Sequence, residues 1–295
     1  MLENDYDGAN MVFVVGCPRS GTTWLQRLLS CCPGVRTGQE SDIFDQYIGP
    51  QLRHWRRDLE ASTSGRSGVG LGCYLREDEF MTLLRQYMLQ LLRPLVGTLA
   101  PGQVFVEKTP SHALYLPEIM ELLPKCKVVG VVRDCRDVCA SLLAAGRSWG
   151  SYWAPKTGRS AAEMWVHHQQ AMSHAKAEAE TGRYREVRYE DLVGDTPAAL
   201  EQLVNGFLDL GCGGEAIEEA VTRCLPGSGD LPELHVGGEW AARTEARSVK
   251  EPVGFVRKAR SGSWKKDLSC REKVGIWRMA RREMAKSGYP WPLPW

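Results

Sequence analysis

Hydrophobic residues fall along this chain in two rhythms. Four short runs concentrate β-branched and aromatic residues: MVFVVG (11–16), QVFVE (103–107), KVVGVV (127–132) and REVRY (185–189). Runs of this length and type predict strands of a buried parallel sheet. Elsewhere apolar positions recur every three or four residues. That spacing predicts helices at Thr22–Ser30, Asp78–Leu92, Leu116–Leu123 and Arg136–Ala145, and a basic amphipathic helix over 270–288. Alternating strands and helices predict an α/β fold, a central and mostly parallel β-sheet flanked by helices. Such sheets bind ligands beyond the carboxyl ends of their strands. The segments of interest therefore begin at Gly16, Glu107, Arg133 and Tyr189.

Composition adds little. The chain has 295 residues, 43% hydrophobic and 25% charged, as expected of one large globular domain over 1–295. The stretches ASTSGRSGVGLG (61–72) and LPGSGDLPELHVGG (225–238) read as long surface loops, and no internal repeat is visible. A net charge of +1 provides no field for a polyanion, so nucleic acid is not an expected partner. Ten cysteines without a Cys-x-x-Cys pair read as free, mostly buried thiols, with no metal site. The opening MLENDYDGAN is acidic and polar, and no apolar run reaches the ~20 residues that span a bilayer. The expectation is a cytoplasmic protein without a membrane partner.

Candidate chemistry starts at GCPRSGTTW (16–24), a loop between a strand and a helix. Gly16 and Gly21 permit tight turning. The helix's first amides and dipole favour an anion, and Ser20, Thr22 and Thr23 add hydroxyl donors. Thr22 stands where a nucleotide-triphosphate loop carries lysine, and the cation has moved to Arg19. No clear acidic strand end offers a magnesium ligand. A smaller anion than a magnesium triphosphate is better served.

This loop resembles the 5′-phosphosulfate loop of sulfotransferases that use 3′-phosphoadenosine 5′-phosphosulfate (PAPS). Three further motifs follow in the family's order. VVGVVRDCRDVCASL (128–142) is similar to the 3′-phosphate site, which implies that role for Arg133 and Ser141. VRYEDL (187–192) resembles a strand end whose tyrosine contacts adenine, so the resemblance gives Tyr189 that role and lays Trp24 against the base. GFVRKARSGSWKK (254–266) resembles the segment that wraps the 3′-phosphate, implying Arg257, Lys258 and Gly262; Ala259 replaces the family's glycine after the lysine. The resemblance implies a P-loop-kinase-like sulfotransferase fold, PAPS as co-substrate, adenosine 3′,5′-bisphosphate as product, and no metal requirement.

Sulfuryl transfer needs in-line positioning, a base for the acceptor proton, and cations where charge develops. Arg19 matches the family's loop cation. Lys108, in VFVEKTPSHAL, resembles the catalytic lysine of glycosaminoglycan and tyrosylprotein sulfotransferases. Two residues compete for the base. Glu40, in CCPGVRTGQESDIF, matches the spacing of carboxylate-using sulfotransferases. His112 follows Lys108 as a histidine does in cytosolic sulfotransferases, but two residues late. Asp134, Arg136 and Asp137 read as local pairing and first-turn helix charges. Trp149, Tyr152 and Trp153 follow the 3′-phosphate helix and are candidates for the acceptor side, and His167 and His174 are spaced to share a helix face. The expected activity is sulfuryl transfer to a hydroxyl of a small molecule or natural product. An ATP-dependent P-loop kinase or NTPase, and a nucleotide-binding domain without catalysis, are the competing readings.

Overall fold

The computed structural model describes residues 6–65, 69–224 and 261–291. Among them, five strands form a sheet in the order β2–β3–β1–β4–β5, with every neighbouring pair parallel. The strands are β1 Met11–Gly16, β2 Val35–Thr37, β3 Val104–Glu107, β4 Lys127–Val132 and β5 Tyr184–Arg188. β1 lies centrally and is buried throughout. Its alternation divides the core. Met11, Phe13 and Val15 join one apolar cluster with Val138, Leu142 and Trp165. Val12 and Val14 join the other with Leu25, Leu28 and Leu29. A strand buried on both faces is what an uninterrupted apolar run specifies.

The helices are α1 Thr22–Ser30, α2 Gly49–Thr63, α3 Glu77–Val96, α4 Leu116–Leu122, α5 Cys135–Gly146, α6 Gly158–Glu178, α7 Tyr189–Gly194, α8 Thr196–Val204, α9 Gly214–Arg223, α10 Trp264–Asp267 and α11 Cys270–Lys286. α6 packs against α5 and α11. A π-helical turn, Ile43–Ile48, leads into α2.

The predicted strands and the helix at Thr22–Ser30 coincide with observed elements to within about a residue. The predicted helix at Asp78–Leu92 runs instead from Glu77 to Val96, with Pro94 in its last turn. The predicted loop over 61–72 is partly helix, because α2 continues to Thr63. The predicted loop over 225–238 lies outside the described residues.

Candidate active site

β1 ends at Gly16, where an added Cβ would meet Val131 O at 2.7 Å and Ser20 Oγ at 2.8 Å. The chain then turns through Cys17–Gly21 into α1. Ser20 closes the turn, its amide (3.0 Å) and hydroxyl (2.7 Å) both donating to Cys17 O. Arg19 holds a left-handed backbone with φ 76°, uncommon for a residue with a side chain. Gly21 has φ 104°, and a Cβ there would lie 2.4 Å from Tyr189 Cδ2. α1 begins without a side-chain cap and with no acid in its first turn. Uncapped first-turn amides, with the helix dipole behind them, form an anion-binding end. Thr22 is buried and Thr23 half-buried beside it.

Around this turn gather the residues expected on the nucleotide side. Arg19 Nε donates to Ser141 Oγ on α5 at 3.1 Å. Arg133, just past β4, donates from Nη1 to Arg19 O at 3.3 Å and stacks its guanidinium 4.0 Å from the Tyr189 ring centroid. Tyr189 meets Trp24 edge to face at 5.9 Å, and Trp24 Nε1 donates to Cys224 O at 3.1 Å. The Arg19 guanidinium also lies 5.4 Å from the Trp149 ring centroid. Gly262 N donates to Asp137 Oδ2 at 2.6 Å, and Trp264 N to Oδ1 at 3.1 Å, so Asp137 anchors the segment entering α10. Arg257 and Lys258 lie outside the described residues. Asp134 caps α5 by accepting from Arg136 N at 2.8 Å and pairs with the Arg136 guanidinium at 2.6 Å.

A second group assembles where β2 and β3 end. Lys108, its side chain 5% exposed, donates from Nζ to Oε1 of Glu40, whose side chain is 44% exposed. The residues flanking this pair contact one another. Glu107 Oε1 accepts from Ser41 Oγ (2.7 Å), Ser41 N (3.3 Å) and Thr109 Oγ1 (2.7 Å), and Oε2 meets His112 Nδ1 at 2.9 Å. Burial pulls the Glu107 carboxyl upward, but the charge of His112 and these hydrogen bonds outweigh it and hold the group at about 2.

His112 is fully buried. Its Nδ1 faces Glu107, and its Nε2 accepts the Phe44 amide at 3.2 Å with Asp45 Oδ2 at 3.5 Å. Burial disfavours a charged ring, yet Glu107, then Asp45 and Asp42, outweigh it and raise the imidazole's affinity for a proton. The Phe44 amide pulls the other way, because it needs the Nε2 lone pair. The structure therefore brings Glu40 and Lys108 together and buries His112 against Glu107, with both ring nitrogens engaged.

A third link joins the two groups. Gln26 on α1 is fully buried and donates from Nε2 to Thr37 Oγ1 and to Gly38 O, each at 2.8 Å. The motifs named neither Gln26, nor Ser41, nor Asp137 as an anchor. Trp149 was expected on the acceptor side and lies against Arg19. Tyr152 is exposed, and Trp153 packs 5.7 Å from Trp149. His167 and His174 both lie on α6 and are exposed, His174 facing Glu178 at 3.3 Å. Among the described residues, no group of three or more His, Cys, Asp or Glu is placed to hold a metal ion, and no helix is long and apolar enough to cross a membrane.

An uncapped helix end beside an arginine, a serine and two aromatic rings fits the anionic, purine-bearing donor that the motifs imply. The chain belongs to the Sulfotransferase family, whose sequence profile matches residues 11–210. A putative protein-tyrosine sulfotransferase of Caenorhabditis briggsae is 27% identical over 205 residues, 68% of this chain and 65% of that protein. The protein-tyrosine sulfotransferase of Drosophila melanogaster is 27% identical over 207 residues, 68% of this chain and 38% of that protein. The chain thus spans less than two thirds of the length of either relative. Among solved structures, the mouse sulfotransferase SULT7A1 complexed with PAP superposes with a TM-score of 0.61 at 16% identity, covering 97% of this chain and 88% of that one. The sulfotransferase domain from the curacin biosynthetic pathway superposes with a TM-score of 0.58 at 20% identity, covering 95% and 98%. These likenesses establish the sulfotransferase fold.

Proposed function

We propose that this chain transfers a sulfuryl group from PAPS to a hydroxyl, with Glu40 as general base and Lys108 and Arg19 as the cations. The observation that carries the reading is the Glu40–Lys108 contact: a half-exposed carboxylate held by a buried ammonium at two adjoining strand ends. Bound at the head of α1, PAPS supplies the sulfuryl group and leaves as adenosine 3′,5′-bisphosphate. The α1 amides, Ser20, Gly21, Thr22, Thr23 and Arg19 hold its sulfated end. Arg133 and Ser141 serve the 3′-phosphate, and Tyr189 and Trp24 the base. As the new oxygen–sulfur bond forms, Glu40 takes the acceptor proton on a carboxylate oxygen, while Lys108 and Arg19 offset the charge left on the departing phosphate.

The geometry favours Glu40 over His112 as base, since His112 is fully buried with both nitrogens engaged. It also disfavours ATP chemistry. The acid at the end of β3, Glu107, is buried and already accepts from Ser41, Thr109 and His112, so it is committed within the protein rather than turned toward a magnesium ion. The names of the curated relatives favour a phenol among hydroxyl acceptors, whether on a small molecule or on a tyrosine.

The test is transfer of radioactive sulfur from labelled PAPS to 2-naphthol and, in parallel, to an acidic tyrosine peptide. Glu40→Gln is expected to lower the rate about a hundredfold or more. His112→Ala, compared with the parent at matched folded fraction, is expected to transfer faster than Glu40→Gln, since His112 reaches Glu40 only through Glu107 and the Phe44 amide. Parental rates in both variants would overturn the assignment of the base.

A further inference from the structure

The ladder between β2 and β3 ends at the pair Thr37 and Val106. Glu40 lies three residues beyond it, on a segment that no strand accompanies. A half-exposed carboxylate on such a segment has no reason from the sheet alone to sit against Lys108. Side chains take over where the ladder stops. Gln26 Nε2 donates to Gly38 O. Ser41 donates with both amide and hydroxyl to Glu107 Oε1. Asp42 N donates to Thr109 Oγ1 at 3.4 Å, and Phe44 N to His112 Nε2 at 3.2 Å. From Gly38 to Phe44 the backbone is thus pinned by side chains of α1, of the last residue of β3 and of the segment that follows it. Asp42 is held at φ 48°, a left-handed conformation that persists only where surrounding contacts over-determine it.

Glu107 is the hub of this arrangement. It precedes Lys108 in the chain, and it grips Ser41, which follows Glu40. We infer that Glu107, acting through Ser41, is the positioning residue that holds Glu40 against Lys108. The inference rests on the proposed role of Glu40 as base. Burying an ionised carboxylate is a poor way to gain stability. Four hydrogen bonds to its oxygens keep Glu107 ionised and therefore acceptor-only, so it does not release Ser41 as the proton moves at Glu40. Thr109 and His112 fix Glu107 in turn, one on each oxygen.

The experiment uses the full chain and four variants: Ser41→Ala, Ser41→Thr, Glu107→Gln and Glu40→Gln. Radiosulfur release from labelled PAPS to 2-naphthol and to water gives kcat and KM. Amide hydrogen exchange over residues 38–44 and Tm are measured on the same samples. Ser41→Ala is expected to lower kcat about a hundredfold with KM for PAPS within about twofold, the signature of a misplaced catalytic group. Exchange at the amides of residues 41–44 should rise about tenfold. Ser41→Thr, which keeps the hydroxyl, should restore both readings. Glu107→Gln should share the kcat defect.

Parental kcat and parental exchange in Ser41→Ala and Glu107→Gln would overturn the inference. So would a joint loss of kcat and Tm that Ser41→Thr fails to reverse, since that pattern belongs to a folding role alone. Glu40→Gln separates the two readings. If it turns over at the parental rate, the base assignment falls, and exchange alone then decides whether Glu107 holds the segment. If it is inactive while Ser41→Ala is not, only the inference falls.

Discussion

Arg19 Nε donates to Ser141 Oγ across 3.1 Å, joining the loop after β1 to the helix after β4. The two residues come from the two ends of the expected donor site, and Arg133 reinforces the bond through its contact with the Arg19 carbonyl. A guanidinium fixed in this way needs little reorganisation to meet a developing charge. Arg19→Ala is expected to cost about 2–4 kcal/mol in the transfer barrier, as for other preorganised stabilisers. Label transfer from PAPS checks it, and an unchanged rate would refute the role. The left-handed backbone at this position separates chemistry from folding. Arg19→Gly should be equally slow yet more stable than Arg19→Ala by about 1 kcal/mol, read by denaturant titration.

Gly21 is crowded by Tyr189 as well as left-handed. Gly21→Ala should push the tyrosine ring away from Trp24 and Arg133. The expected cost is about 1–3 kcal/mol of stability, together with loss of affinity for adenosine 3′,5′-bisphosphate measured by calorimetry. Parental affinity in that variant would show that the tyrosine's placement is irrelevant to the nucleotide.

The buried carboxyl of Glu107 predicts an acid-sensitive fold. Its folded value of about 2 lies below the ordinary 4.5, so the folded state favours the ionised form. That stabilisation is complete above about 4.5 and is lost as pH falls toward about 2. His112 has the opposite sign. Its raised value makes a contribution that is full below 6.5 and is lost as pH rises through the folded value. Denaturant unfolding across the acid range should show stability declining in the Glu107 window, and Glu107→Gln should flatten that decline. An identical slope in the variant would remove Glu107 as its cause.

Cys31 Sγ lies 3.8 Å from Cys224 Sγ. The Cys224 hydrogen bond, opposed by burial and aided by Arg223, brings the Cys31 thiol down to about 7, while Cys224 is pushed up. Alkylation by iodoacetamide, followed by peptide mass spectrometry, should therefore reach half its maximal rate near neutrality at Cys31. In Cys224→Ala the midpoint should climb toward 9.0. A midpoint unmoved by that substitution would show that Cys224 does not set it.

The strands that sequence located are those whose burial is total. β1 and β4 are apolar runs walled in on both faces, and their limits coincide with prediction. β2 has three residues, Val35–Thr37, one of them exposed, and becomes a strand only because β3 lies beside it. α2 buries Leu52 and Trp55 among mostly polar residues, too thin a stripe to read as a period. α6 buries His168 and Gln169 along with Trp165 and Met172, which blurs its apolar face. The residues expected at the donor could be named from sequence because they sit in short motifs. The Ser41–Glu107 contact could not, because its partners stand 66 residues apart and neither belongs to a recognisable pattern alone.

The strand order assigns the two halves of the site to different addresses. The proposed grips for the nucleotide grow from β1, β4 and β5, whereas the acid–ammonium couple grows from the edge strand β2 and its inner neighbour β3. A short rim strand can be rebuilt, lengthened or exchanged without repacking the centre. In a scaffold laid out this way, a new recipient for the transferred group is an amendment at the margin, and the machinery that handles the donor is inherited intact.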